Sequence, residues 1–223
     1  MRLKPEPLGD REHPKPRESR HTREALIAAA TELFAERGFS GTSVEQIARR
    51  AGANKAMISY HFGGKAALYR TILEATIGAI AERLVVIRDG FTEPADALKQ
   101  VVAAIADVAS RQPNFPALML REVVSGGRHL DEQLLPRFLA IFGTVAKIVD
   151  AGVRTGAFRS VDPRYTHLSL VGSLFFFFAS EPFRRRLVAE GIVPGDPPFD
   201  TAAYVRHVQE LLARGLKPAA EDR

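Results

Sequence analysis

Along most of this chain the apolar residues recur three and four positions apart, the spacing that gathers them on one face of an α-helix. Leu26, Ile27, Ala30, Leu33 and Phe34 predict a first helix from about Ser19 or Arg20 to Arg37, stopped by Gly38 with Phe39 as its hydrophobic partner. Val44, Ile47, Ala48 and Ala51 predict a second, about Val44 to Ala51. Thr42-x-x-Glu45 resembles a capping box ahead of it, with Ser43 as the competing N-cap. Gly52 suits a left-handed stop, Asn54 can cap the next helix, and Lys55 to Phe62 forms about two turns with Ile58 and Phe62 inward. After Gly63-Gly64, a pattern from Lys65 to about Arg88 predicts a helix of about 24 residues and about 36 Å, long enough to tie the first three helices to the rest.

From Pro94 onward the helical period persists. It predicts helices over about Asp96–Arg111, Phe115–Val124, Asp131–Gly152, Pro163–Ser180 and Thr201–Leu216, with Gly and Pro between them. Phe183-Arg184-Arg185-Arg186 reads as a solvated helix end, and residues 189–199 as a loop. No segment alternates apolar and polar with β-branched enrichment, so the expected class is all-α. The organisation predicted is an N-terminal three-helix domain at 20–66, with a helix-turn-helix pattern in its second and third helices, joined by the long helix to a second helical domain at 67–217. Residues 1–19 hold four prolines and no apolar period, and are expected to form a disordered arm, as is the tail 218–223.

Charge sharpens this division. Residues 1–70 carry 13 Lys/Arg against 8 Asp/Glu, whereas residues 71–223 carry 18 of each, so the whole excess of +5 belongs to the first part. A basic domain on a neutral one points to a polyanion for the first and a different partner for the second. Arg11, Lys15, Arg17, Arg20 and Arg23 are the cations of the arm and first helix that reach toward such a partner, though four acids are interspersed before Ser19. The chain has no cysteine, which removes disulfide and thiolate chemistry and suits a reducing cytoplasm. The most apolar run, Leu168 to Ala179, is 12 residues, short of the roughly 20 a membrane span needs, so no membrane partner is expected.

The stretch 43–62 is the centre of the arrangement: two short helical patterns meet at a Gly-containing turn and leave Lys55, Ala56, Ser59 and Tyr60 outward, a set that suits a major groove about 12 Å wide. Gly38-Phe39-x-x-Thr42-Ser43-Val44-x-x-Ile47-Ala48-x-x-Ala51-Gly52-Ala53-Asn54-Lys55, continuing Tyr60-His61-Phe62-Gly63-Gly64-Lys65-x-x-Leu68-Tyr69, resembles the DNA-binding domain of the tetracycline-repressor (TetR) family of regulators over about 50 residues. The resemblance implies that Lys55, Ala56 and Tyr60 face base edges or the groove floor. It implies that Thr42, Ser43, Tyr60, His61 and Lys65 position the phosphate backbone, while Ser59 stands where many relatives have a phosphate-contacting tyrosine. His61 also reads as a buried hydrogen-bonding residue at the helix end. The resemblance further implies a homodimer on double-stranded operator DNA, with an interface in the last two long helices, here about Tyr165, Leu170, Leu174, Phe178, Tyr204, Val208 and Leu212.

Roughly 150 residues follow the first 70, more than a reading head needs, and their large apolar side chains suggest a small-molecule cavity. Phe115, Met119, Phe138, Phe142 and Phe175 are the candidate lining for a largely hydrophobic effector, with Arg121 or Glu122 as its polar anchor; surface placement or a structural ion pair is the other reading of those two. His129 precedes Asp131-Glu132 and reads as an exposed helix start. No nucleophile constellation, phosphate-binding glycine loop or zinc motif is present, so neither cofactor nor enzymatic function is expected. Two functions remain open: a ligand-responsive DNA-binding repressor, and a helical enzyme or scaffold that merely contains a helix-turn-helix-like hairpin.

Overall fold

The computed structural model describes residues 16–194 and 199–218, and among these all regular structure is helical. The first helix, α1 (Pro16–Arg37), begins ahead of its expected start. Proline has its φ preset for a first helical turn, so the Pro-rich composition of the expected arm concealed a helix start. Arg11 and Lys15 lie outside the described residues, as do the Arg17 side chain and most of the expected tail. The second helix, α2 (Val44–Arg50), is capped by Ser43 rather than by a Thr42–Glu45 box. Gln46 N–H donates to Ser43 Oγ at 3.2 Å and Ser43 N–H donates to Gln46 Oε1 at 2.8 Å. Ahead of α3 (Ala56–Phe62), the Ala56 N–H donates to Asn54 Oδ1 at 2.9 Å, and Gly63 closes the helix at φ 83°, in the left-handed region.

The long connector is α4 (Lys65–Gly90), followed by α5 (Pro94–Arg111) and α6 (Phe115–Val124). Then come α7 (Leu134–Arg154) and α8 (Pro163–Ala179). Asp131 stands before α7 rather than in it, its carboxylate accepting from the N–H groups of Gln133 and Leu134. Asp162 caps α8 in the expected way, accepting from Arg164 N–H at 2.8 Å. Residues 181–189, expected as a helix end running into a loop, form a helix of their own, α9 (Glu181–Ala189), with Pro182 in its first turn. The last described helix is α10 (Thr201–Gly215), capped by Asp200.

The core explains the order. Leu26, Leu33, Phe34, Ile47, Ile58 and Leu68 close the three-helix head over the start of α4. Farther along α4, Leu73, Ile77 and Leu84 pack against α5 and α7, and α8 is enclosed by α5, α6, α7 and α10. The same cluster of buried residues runs from head to body, and α6 touches both α8 and α1. No described helix is long and apolar enough to cross a membrane.

One glycine is set by packing. After α7 the chain turns back so that Phe158 N–H donates to Gly152 O at 2.9 Å, and the Phe158 ring lies where a Cβ on Gly152 would fall. Gly152→Ala should lower stability by about 1–3 kcal/mol through overpacking, read as a lower denaturant midpoint at unchanged slope. An unaltered midpoint would show that the ring shifts without penalty.

Candidate nucleic-acid interface and effector cavity

The outward face of α3 is built by what its inward face buries. Ile58 is fully enclosed and Met57 and Phe62 pack on the core, which leaves Lys55, Ala56, Ser59 and Tyr60 exposed together, Tyr60 at 61%. Lys55 Nζ lies 3.6 Å from a Glu45 carboxylate oxygen on α2, a solvent-exposed pair of small energetic weight. Ser43 is half-buried; its Oγ accepts from Gln46 N–H, and its own hydroxyl proton remains a donor. The His61 ring lies between Tyr60 and Phe62, with Nε2 buried and without a hydrogen-bond partner among the described residues.

Two residues expected on the phosphate backbone have other occupations. Thr42 is 2% exposed and its hydroxyl lies 2.9 Å from Gly38 O and 3.1 Å from Leu33 O, so it closes the turn after α1 rather than facing outward. Lys65 donates from Nζ to Phe39 O and Thr42 O, each at 2.9 Å, and stands 4.1 Å from the Phe39 ring centroid. The resemblance implied a phosphate contact for Lys65; here its ammonium clasps the α1–α2 turn onto the start of α4.

A second clasp joins head and body. Arg121, at the end of α6, donates to Ala35 O and Glu36 O, both 2.8 Å, in the last turn of α1 where carbonyls lack helical partners. Its neighbour Glu122 is 2% exposed and accepts from the Tyr69 hydroxyl at 2.9 Å and the His129 backbone N–H at 2.7 Å, while His129 Nδ1 lies 2.9 Å away. Burial, then the hydrogen bond to Glu122 and its charge, push the Tyr69 phenol well above its ordinary range, so it stays a donor. Phe39 and Tyr69 both pack on the His129 ring, which is therefore part of this junction and not an exposed helix start.

Within the body a cavity of about 190 Å³ is walled by Ile77 and Ile80 of α4, Ile105 of α5, Phe115 and Met119 of α6, Phe138 and Ile141 of α7, and His167, Val171 and Phe175 of α8. Phe115, Met119, Phe138 and Phe175 are thus among its walls. Phe142 is not: it lies beside the cavity with its ring edge-on to His167 at 5.4 Å. Arg121 and Glu122 are not either, because both are held at the head junction described above. His167 is the one ionisable side chain among the lining residues. It was overlooked because a single histidine in an apolar helix gives no pattern.

The expected interface residues are out of register with the exposed surface. Leu170 and Leu174 are fully buried and Val208 nearly so, and Tyr204 stacks on Phe177 at 3.9 Å within the same chain, its hydroxyl donating to Ser173 O. Leu212 and Phe178 are also packed on the core. Tyr165 is exposed as expected, and with Leu168, Gly172 and Phe176 it forms a stripe on α8, while Ala203, His207 and Leu211 form one on α10. On α10 the expected positions each lie one residue beyond an exposed one, and neighbouring helical residues point about 100° apart, so Tyr204, Val208 and Leu212 pack on the subunit's own core.

A compact helix-turn-helix head, its second helix presenting a small-polar-aromatic face, on a helical body with an internal cavity defines a one-component transcriptional regulator. The family described as "Bacterial regulatory proteins, tetR family" matches residues 26–72, and the "Tetracyclin repressor-like, C-terminal domain" matches 94–193. The chain is 31% identical over 199 residues to the HTH-type transcriptional repressor NicS of Pseudomonas putida, covering 88% of this chain and 92% of that one. It is 26% identical to the regulator RutR of Escherichia coli K12, covering 88% and 91%. The crystal structure of PfmR, a TetR family regulator from Thermus thermophilus, has the same fold, with a TM-score of 0.68 at 22% identity over 86% of this chain and 99% of that one. This chain belongs to the TetR family of transcriptional regulators.

The Lys65 clasp is open to a direct check. Lys65→Met keeps the apolar stem and deletes the ammonium, so Thr42 O loses its charged donor and Phe39 O keeps only the Thr42 N–H at 3.4 Å, which should lower stability by about 1–3 kcal/mol. A uniform loss of DNA affinity with no change in the unfolding midpoint would instead return Lys65 to the phosphate backbone.

Proposed function

We propose that this regulator is a homodimeric repressor in the cytoplasm that holds a pseudo-palindromic operator and releases it when a small, largely hydrophobic effector fills the cavity. The carrying observation is that α6 belongs to both sites: Phe115 and Met119 wall the cavity, and Arg121 and Glu122, one turn or less beyond, hold the head. The connector α4 does the same, walling the cavity at Ile77 and Ile80 and meeting Glu122 through Tyr69. An effector that binds one arrangement of α4 and α6 better than the other shifts the spacing of two heads by that difference in affinity, typically 1–3 kcal/mol. The naming of the NicS relative as a repressor supports that direction of control.

On DNA, Lys55, Ala56 and Tyr60 face the groove, Ser43 and Ser59 approach the backbone beside the N-terminal turns of α2 and α3, whose N–H groups favour anions, and His61 approaches it from the last turn of α3. Thr42 and Lys65 shape this surface from beneath. One helix of two turns reads few base pairs, so two heads on one face of the duplex supply the specificity.

Selection from random duplex DNA with the full chain should enrich a sequence with two inverted halves, and Lys55→Ala should weaken binding by about 1–3 kcal/mol and relax the preference at one position of each half. Failure to enrich any sequence would favour the alternative of a helical protein with an idle hairpin.

For the dimer, the exposed stripes name the variants. Phe176 is 68% and Leu211 57% exposed, so Phe176→Arg and Leu211→Arg leave the subunit core intact. Both should yield monomers by light scattering, and dimers in both would place the interface elsewhere.

A further inference from the structure

Resting on the cavity as the effector site, we propose that the effector is an uncharged compound of one aromatic ring bearing a hydroxyl, its ring held by apolar walls and its hydroxyl by the His167 imidazole. Size argues first. An apolar cavity of about 150 Å³ accommodates benzene, so the 190 Å³ here suits one ring with one or two small substituents. The walls argue second. Ile77, Ile105, Phe115, Met119 and Phe175 are apolar, and His167 is the one ionisable side chain among the lining residues. A carboxylate or ammonium entering would lose its hydration without meeting an opposite charge.

His167 argues third. Its Nδ1 is buried without a hydrogen-bond partner among the described residues, and Phe142 confines the ring from one side. Burial lowers the pKa of the imidazole, which keeps it neutral at neutral pH, with one ring nitrogen donating and the other accepting. A hydroxyl both donates and accepts, so it pairs with whichever nitrogen turns to the cavity. A carboxylate can accept from a neutral imidazole N–H but meets an opposite charge only in the imidazolium, the form that burial disfavours.

Titration calorimetry of the full chain with p-cresol, toluene and p-toluate separates these points, since the three share a ring and a methyl group. p-Cresol is expected to bind ~5–10-fold tighter than toluene, one hydrogen bond's worth, and more than tenfold tighter than p-toluate. In His167→Leu the advantage of p-cresol over toluene should vanish while toluene binding persists. Equal binding of p-cresol and toluene to the unmodified protein overturns the role of His167 and leaves the cavity as an effector site. Tighter binding of p-toluate overturns the uncharged class. Binding of none of the three removes the effector-site reading itself. Should His167→Leu fail to fold, the comparison of the three compounds on the unmodified protein decides alone.

Discussion

A carboxylate that is 2% exposed must be answered from within the protein, and the answer given to Glu122 fixes how head and body meet. Tyr69 comes from α4, just beyond the head; His129 comes from the turn after α6; Glu122 itself lies on α6, with Arg121 beside it on the end of α1. Two segments, α4 and the turn after α6, are thus drawn to one pair of oxygens on α6. Removing one hydrogen-bond partner from such a buried group costs about 1–3 kcal/mol, whereas a loosely apolar contact would let the head pivot for less. The Lys65 clasp completes the joint from the other side by pinning the turn that carries Phe39 against the same α4 turn.

What this joint provides is a stiff path of short length. The cavity walls on α4 and α6 lie within a few turns of Tyr69 and Arg121, so a displacement at Met119 or Ile77 reaches the end of α1 without crossing a flexible linker. The reading helix α3, by contrast, is held mainly by Ile58 and by flanking contacts such as Arg23 over the Phe62 ring at 5.2 Å. Movement at the junction therefore carries the head as a body, because its own core of Leu26, Phe34, Ile47 and Ile58 is closed.

Much of this was legible in the sequence. The 3.6-residue period placed α2, α3, α5, α6 and α8 within a few residues, and glycines at 52 and 63 marked stops that need positive φ. The cavity lies among the helices whose Gly and Pro interruptions had suggested it. Three kinds of feature were not legible. Pro16, one of the four prolines of the expected arm, stands in a first helical turn, where proline fits. The rotation of α8 was hidden because its apolar residues surround it, so periodicity cannot separate Leu174 in the core from Phe176 on the surface. The partners of Glu122 and Lys65 are distant in sequence, and a charge gives no sign of a fold contact 53 residues away.

Leu168 and Gly172 line the cavity and also belong to the exposed stripe of α8. In the proposed dimer over this stripe, the partner subunit would lie across one wall of the proposed effector chamber. Occupancy and subunit association would then be linked equilibria, each changing the other by the same factor. The bound molecule's residence time would follow the breathing of the subunit contact, so the duration of derepression would depend on how firmly two copies hold each other.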